Sequence, residues 1–571
     1  MDCPGVKNGK CEPKGRLQTS RANEVSKLLC AVQDHLISFI SAADDGQLNE
    51  QPAIRLSSEA SNGHTNIENI ESSLTSQWKS PSNHGIGCVD GVGNGNTTPS
   101  SRSPGVLMEN HKPSELTHLM NLKLPEAGLG QAGFIEQVQK ILKYSVNTWN
   151  PGFMSKLYGS TDAPGVAAEL ILATLNTQVH TFQVSPALTM IEKYTARALA
   201  NLFGFTGPYA GGITVQGGSA SNATSVVIAR NTLFPDTKNK GNAANGLKLL
   251  MFTSAHGHYS IEKAALMLGF GSASVWSVPV DPVSGSMDPS AFSSLIIKAR
   301  NEGYTPFYLN TTAGTTVLGS FDPIIPLAEI CREQSIWLHI DASWGGPVIF
   351  SPSHKHKLKG SHLANSIAIN PHKMMGVPVT CSFLLGPDLR QFHASNTLPA
   401  SYLFHSAEPS SDVYDLADLT LQCGRKGDSL KLYLSWTYYG KDGYIKQIDA
   451  ALDTAAYLAT LISKHEDLVL ISQNPPPCCQ VCFFYARGGI LHEIGEENSR
   501  VTKQVVQGLV AKGFLIDYAS IDKRGCFMRP VVSRGTQRQN VEALIDEVLY
   551  LGSKIENTGK KSVQGDKVCE G

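Results

Sequence analysis

No stretch of this 571-residue chain stays apolar for the roughly 18–20 residues that a bilayer span requires, so no membrane span is expected. An excess of either charge is also missing. With 48 Lys and Arg against 49 Asp and Glu, the formal net charge is −1, which gives no pull toward nucleic acid or an anionic membrane. The opening residues, Met1-Asp2-Cys3-Pro4-Gly5, lack the apolar core of a secretory signal. Cysteine is sparse, 12 in all, and shows no repeated spacing. Cys478, Cys479 and Cys482 form a tight cluster, but no second cluster is spaced to complete a four-ligand zinc site. No metal is therefore expected, and buried reduced thiols are the plainer reading. What remains is a cytoplasmic chain, 41% hydrophobic and 17% charged, long enough for a large core and a further domain.

Composition divides the chain. Residues 1–23 are polar and irregular, and read as a disordered arm. Val25, Leu28, Leu29, Val32, Leu36 and Ile40 follow helical spacing, which predicts a helix over 24–43. Residues 44–111 are rich in Ser, Asn, Gly and Pro and cannot bury enough apolar surface to offset their ordering entropy, so a disordered insertion is expected. An N-terminal segment follows over 112–165. Between 166 and 435 short apolar runs, near 213–216, 248–252, 275–280, 306–310, 336–340, 366–369 and 381–385, read as buried strands. Helical patterns at 219–231, 259–268, 290–301 and 325–334 intervene. That alternation predicts an α/β domain around a mainly parallel seven-stranded sheet. Residues 436–554 read as a smaller C-terminal α+β domain, and 555–571 as a polar tail.

The runs end on residues that carry chemistry. Ile336–Ile340 delivers Asp341, and Ser366–Ile369 delivers Asn370-Pro371-His372-Lys373. A carboxylate at the end of one strand and a lysine just after the next suit a pyridoxal phosphate site. There the lysine holds the cofactor and the carboxylate keeps the pyridine nitrogen protonated. Gly217-Gly218-Ser219-Ala220-Ser221-Asn222 follows another run and opens a helix, so it presents free backbone N–H groups to an anion. Alone such a turn is often only a tight turn. Ala313-Gly314-Thr315-Thr316 is a second turn of this kind. His256 and His258 follow a strand and precede a helix; either could face an aromatic cofactor, cap the helix or sit in the core. The basic run His354–Lys359 reads as a solvated loop.

Together these motifs resemble the group II pyridoxal phosphate decarboxylases, within them the glutamate decarboxylase and cysteine sulfinate decarboxylase branch. The resemblance covers most of 113–550. It rests on His258-Tyr259-Ser260-Ile261-Glu262-Lys263-Ala264, Ala313–Val317, Phe321-Asp322-Pro323, Trp337–Ala342, Asn370–Gly376 and Gln422-Cys423-Gly424-Arg425. It implies the aspartate aminotransferase fold (fold type I) and a homodimer whose 402 loop reaches the neighbouring site.

The resemblance also implies roles. Lys373 matches the Schiff-base lysine, Asp341 the partner of the pyridine nitrogen, and His258 the histidine stacked on the ring. Ala220, Ser221, Asn370 and His372 match positions around the phosphate, and Thr315 lies near the ring face. Ser343 replaces an alanine usual in the glutamate enzymes. Tyr402 matches the loop tyrosine that returns a proton to Cα, and Arg529 the arginine that grips a side-chain carboxylate. The chain departs from the family at Asn150-Pro151-Gly152-Phe153-Met154-Ser155-Lys156-Leu157, where Lys156 replaces a glutamine that contacts substrate. It departs again at Ala417-Asp418-Leu419, in the loop that closes the site.

The resemblance implies α-decarboxylation of an acidic L-amino acid: glutamate, cysteine sulfinate or aspartate. The altered 150–160 segment keeps an aromatic or specialised substrate open as an alternative. An inactive scaffold that retains the fold is the alternative of another class, against which the Asp341, Lys373, His258 and Tyr402 set argues.

Overall fold

The computed structural model describes residues 21–44, 107–398 and 413–563. Residues 1–20 of the expected arm over 1–23, 45–106 of the expected insertion over 44–111, 564–571 of the expected tail over 555–571, and Tyr402 with its loop lie outside the described residues; 21–23 instead open the first helix and 555–563 extend the last one, Arg538–Val563. The first helix runs Arg21–Asp44. Chain packing resumes at Leu107, which is fully buried and whose carbonyl accepts from the Asn147 N–H.

A short strand, β1 (Phe153–Met154), precedes the main sheet in the chain. That sheet uses β2 (Gly211–Thr214), β3 (Leu249–Ser254), β4 (Val275–Val278), β5 (Thr305–Thr312), β6 (Trp337–Ala342), β7 (Ser366–Ile369) and β8 (Phe383–Gly386). Its lateral order is β2-β8-β7-β6-β5-β3-β4. Neighbours from β7 across to β4 run parallel, and β8 runs antiparallel to both β2 and β7. Every residue of β2, β3, β6, β7 and β8 is buried. Strands covered by helices on both faces need apolar side chains at every position, which is why they read as continuous runs.

Four expected helices occur at Gly218–Leu233, Ser260–Met267, Pro289–Asn301 and Ile324–Gln334. Their starts obey local rules. Asp288 accepts hydrogen bonds from the Ser290 and Ala291 N–H groups, and Pro289 occupies the first turn, where its missing N–H costs nothing. Because β2, β3, β5, β6 and β7 all point the same way, the loops at their carboxyl ends gather along one edge of the sheet. Open α/β sheets place their ligands there.

The smaller sheet adds β9 (Leu468–Leu470), β10 (Phe483–Tyr485), β11 (Leu515–Ala519) and β12 (Phe527–Arg529). Its order is β1-β11-β12-β10-β9. One edge strand therefore comes from far upstream: Phe153 pairs with Leu515 and Met154 with Ile516, in parallel. Two residues are too few for apolar patterning to reveal, yet this pairing brings Lys156 beside the C-terminal strands. In the basic run at 354–359, expected as a solvated loop, Lys355, His356 and Lys359 are exposed, but Lys357 is not. Its Lys357 Nζ donates to the Pro477 carbonyl at 2.5 Å and lies over the Phe321 ring, so the stem packs instead of reaching into water.

One ion pair ties the sheet to its covering helices. Glu192, in the helix Pro186–Leu202, and Arg425 are both buried and meet at 2.9 Å. Glu192 also accepts from the Thr214 N–H at 2.9 Å and its hydroxyl at 2.7 Å, at the end of β2. Arg425 Nη1 donates to the Thr214 carbonyl at 2.8 Å. Glu192→Ala is expected to lower the unfolding free energy by about 3–5 kcal/mol, because it strands a buried guanidinium. Glu192→Leu combined with Arg425→Met should recover much of that loss. Denaturant midpoints check both, and an equal loss in the single and double variants would acquit the pair.

Candidate active site

Asp341 is the penultimate residue of β6, in register with Ala368 of β7, and is 5% exposed. Burial pushes its carboxyl pKa up. The Ser343 hydroxyl, the nearby Lys373 charge and the Asn222 amide at 2.9 Å more than reverse this, so the group is held below the usual carboxylate range; the Ser343 N–H also donates to it at 3.1 Å. A chain of donors stands behind it. Trp337 Nε1 donates to Ser366 Oγ at 2.9 Å, and Ser366 Oγ lies 2.8 Å from His339 Nδ1. His339 Nε2 lies 3.0 Å from Asn222 Oδ1. With Asn222 Nδ2 donating to Asp341, the polarity assigns the His339 proton to Nε2 and the Ser366 hydroxyl proton to Nδ1. Burial keeps His339 neutral, its pKa pushed down to about 4.

Lys373 follows β7 on a short turn, where its N–H donates to the Asn370 carbonyl at 3.0 Å. Burial lowers the pKa of its amine, and the Asp341 charge partly offsets the effect. His258 is lowered by burial as well, and feels Asp341 and Lys373 in opposite senses. Its Nδ1 accepts the Ser260 N–H at 3.2 Å at the start of the helix Ser260–Met267. His258 thus caps a helix and also faces the two charged residues. His256 lies beside Gly285 and carries a pKa lowered by burial.

The helix Gly218–Leu233 begins without a side-chain cap, and while the Ala220 and Ser221 N–H groups donate to the Gly217 carbonyl, those of Gly218 and Ser219 at its very start suit an anion. A Cβ at Gly218 would meet Ser343 Oγ at 2.6 Å and Asn370 Nδ2 at 2.8 Å, so only glycine lets these groups converge. Ser221 Oγ lies 2.9 Å from Ser382 Oγ, which donates to Asn370 Oδ1 at 2.6 Å. Ala220 occupies the same first turn. Ser343 Oγ is buried and makes no hydrogen bond of good geometry within the chain, though it lies near enough to Asp341 to favour the ionised carboxylate. Thr315 is buried; its hydroxyl accepts the Ser320 N–H at 3.0 Å and its carbonyl accepts from Gln480 at 2.9 Å. The Thr315 turn meets the Ser343 turn through the Gly345 N–H and the Ala313 carbonyl at 2.9 Å. His372 Nδ1 sits 2.7 Å from the Cys381 carbonyl, and burial drives its pKa down to about 4.

An ionised buried carboxylate, an amine on the next strand, an uncapped helix start and the Ser343 hydroxyl fit pyridoxal phosphate. Asp341 would face the pyridine nitrogen, Lys373 the aldehyde carbon, and the Gly218 turn with Ser343 the phosphate.

The two expected acid readers lie at the small sheet. Lys156 Nζ is 2.7 Å from Asp517 Oδ2 and half exposed. Arg529 is buried and its Nη2 reaches the same oxygen at 3.1 Å. Four residues of this neighbourhood, Asn222, His339, Asp517 and Arg534, receive no role from the sequence reading. His339 carried a signal, since it stands two residues before Asp341 and therefore on the same face of the strand. Asp517 carried none: its partner Arg529 is opposite only through the β11–β12 register. Cys478, Cys479 and Cys482 are buried free thiols.

Comparison with known proteins agrees with this geometry. Residues 113–486 match the model of the pyridoxal-dependent decarboxylase conserved domain. An L-aspartate decarboxylase of Metarhizium robertsii is 48% identical over 460 residues, covering 80% of this chain and 91% of that protein. A glutamate decarboxylase-like protein of Gibberella zeae is 38% identical over 467 residues, covering 76% and 89%. The crystal structure of mouse CSAD superposes with a TM-score of 0.74 at 33% identity, covering 79% of this chain and 94% of that one.

The neutral histidines make stability depend on pH. A folded pKa of about 4, below the ordinary 6.5, means the unfolded chain takes up the proton first. Their contribution is intact above pH 6.5 and is lost as the pH falls toward 4. At pH 5 each should cost about 2 kcal/mol relative to pH 7. Urea midpoints at pH 7 and pH 5 should show the loss, with a shallower slope in His339→Asn. An unchanged slope in that variant would remove His339 from the account.

Proposed function

The chain belongs to the pyridoxal-dependent decarboxylase family, a carboxy-lyase of the aspartate aminotransferase-like fold, and we propose that its substrate is an acidic L-amino acid, L-aspartate first. The observation that carries this is the 48% identity to an L-aspartate decarboxylase over nine-tenths of that relative's length. Glutamate and cysteine sulfinate stay within the class. When bound, pyridoxal phosphate supplies an electron-poor ring that accepts the pair left by the departing carboxylate.

The chain's own residues do the rest. In this reading Lys373 Nζ, its pKa lowered by burial, is the nucleophile that holds the cofactor. Asp341, kept ionised, holds a proton on the pyridine nitrogen. His258, kept neutral, adds no positive charge over the ring face. The Gly218 turn with Ser221, Asn370 and Ser343 anchors the phosphate, and Thr315 walls the ring. Tyr402, outside the described residues, is assigned the return of a proton to the substrate Cα; a phenol of pKa about 10 is protonated at neutral pH and can act as a general acid.

We also assign a homodimer in which the 402 loop serves the neighbouring site. The exposed apolar side chains Val166, Leu170, Ile171 and Leu175 on one helix, with Met190 and Tyr194 on the next, support a face made for a second copy. The proposal places the enzyme in the cytoplasm, in keeping with described cysteines that are free thiols and with the absence, among the described residues, of a helix able to cross a membrane.

Product analysis of the cofactor-loaded enzyme tests the substrate. β-Alanine and CO2 are expected from L-aspartate, with weaker turnover of glutamate and cysteine sulfinate; turnover of tyrosine or DOPA alone would overturn the acidic reading. Lys373→Ala should abolish the visible absorbance of the bound cofactor. Tyr402→Phe should shift products in air toward the aldehyde and ammonia, and an unchanged amine yield would remove Tyr402 from the proton-donor role.

A further inference from the structure

Residues 377–382 form neither helix nor strand, yet they run between the two halves of the site. The Ser382 carbonyl accepts the Val215 N–H at 3.0 Å, just before the Gly217 turn. The Thr380 hydroxyl lies 3.3 Å from Gln216 Oε1 on the same side. On the other side, Ser382 Oγ donates to Asn370 Oδ1 at 2.6 Å, and the Cys381 carbonyl accepts the His372 N–H at 3.3 Å. Thr380, Cys381 and Ser382 therefore strap the start of the helix Gly218–Leu233 to the turn that carries Lys373.

A segment without regular structure of its own needs a post outside it, and one side chain supplies that post. Lys431, in the helix Ser429–Ser463, is fully buried, and its Nζ donates to the Thr380 carbonyl at 2.5 Å. It also donates to Glu169 Oε1 at 2.8 Å and to Asp428 Oδ1 at 2.8 Å. Three ammonium protons thus meet three acceptors. One comes from the helix Ala163–Leu175, one from the residue that precedes the helix of Lys431, and one from the strap. Asp428 turns its second oxygen to the Thr380 hydroxyl at 3.1 Å, so residue 380 is gripped at its carbonyl and at its side chain.

The charge on Lys431 is secure. Burial lowers its pKa, but the Asp428 charge and the hydrogen bonds to Asp428 and Glu169 outweigh this and hold the amine above its usual value. Lys426 pairs with Glu169 as well, so two ammonium groups face two carboxylates and the cluster is neutral as a whole. A neutral cluster projects little field toward a distant anion. What Lys431 delivers is geometry: an ammonium with three fixed partners cannot turn without breaking one of them.

The far end of the strap stands among the residues assigned to the phosphate, with Ser382 Oγ 2.9 Å from Ser221 Oγ. We propose that Lys431 is a positioning residue for the cofactor's phosphate: its ammonium pins the Thr380 carbonyl, the pinned strap sets Ser382, and Ser382 orients Ser221 and Asn370. The inference rests on the reading that places the phosphate at the Gly218 turn with Ser221 and Asn370, and it adds the residue that holds the two halves of that cradle in register. With its three protons engaged, Lys431 has none left for the phosphate and acts through the strap alone.

Titration of the full-length enzyme with pyridoxal phosphate and, separately, with pyridoxal tests this, read by the visible absorbance of the bound cofactor. Only the phosphate ester uses the cradle, so the ratio of the two affinities separates positioning from general destabilisation. Lys431→Met alone strands the buried Asp428 carboxylate and can unfold the chain. Combining it with Asp428→Asn removes one charge of each sign and leaves Glu169 with Lys426. In this double variant the Kd for pyridoxal phosphate should rise roughly 10–100-fold, the cost of misplacing one hydrogen bond to a charged group, while that for pyridoxal stays within about twofold. Ser221→Ala, which alters the cradle directly, should show the same selective loss. A double variant that weakens both ligands alike, or neither, beside a selective loss in Ser221→Ala would overturn the role of Lys431 and leave the cradle standing. No selective loss in Ser221→Ala would overturn the placement of the phosphate at the Gly218 turn, and the inference with it.

Discussion

Asp341 has to be buried and charged at once, and much of the large domain is arranged around that requirement. A carboxylate removed from water recovers its proton unless donors and cations replace the lost hydration. Here the replacement is a run of donors, all pointing one way, from the indole of Trp337 through Ser366, His339 and Asn222. It crosses two strands and a helix, so the carboxylate can stay ionised only when β6, β7 and the helix Gly218–Leu233 are assembled. In the proposed reading the same helix start would hold the cofactor's phosphate. Cofactor electronics and cofactor anchoring thus depend on one docking event.

A second balance governs the far end of the cleft. Lys156 comes from a loop beside the edge strand β1, Asp517 from β11 and Arg529 from β12. Two cations over one anion leave a modest positive field, and the backbone contacts of Arg529 anchor the small sheet to the Thr315 turn. Arginine in this setting serves as a brace as readily as a ligand. Arg529 is such a brace, with both of its terminal nitrogens engaged.

Much of the fold is legible along the chain because parallel strands covered on both faces must be apolar at every position, and short apolar runs ending in Gly, Pro or polar turns are easy to see. All seven strands of the main sheet announce themselves in this way. Asp341 and Lys373 stand out because each closes such a run. β1 does not, since two residues carry no pattern. Within the solvated His354–Lys359 run Lys357 departs for another reason: composition reports charge, while Lys357 packs its stem on Phe321 and gives its ammonium to a backbone carbonyl.

The sequence by itself determined the class of fold, the family and the chemistry, because local runs, turns and motif residues sit close together along the chain. It also marked out the residues that gather at the carboxyl edge of the sheet. Only the tertiary structure decided which charges neutralise one another. Lys156 and Asp517 are separated by 361 positions, yet with Arg529 they meet within 3.1 Å. Electrostatic energy depends on distance and burial, not on order in the chain. Whether an arginine is free or engaged is therefore settled by what the fold brings beside it.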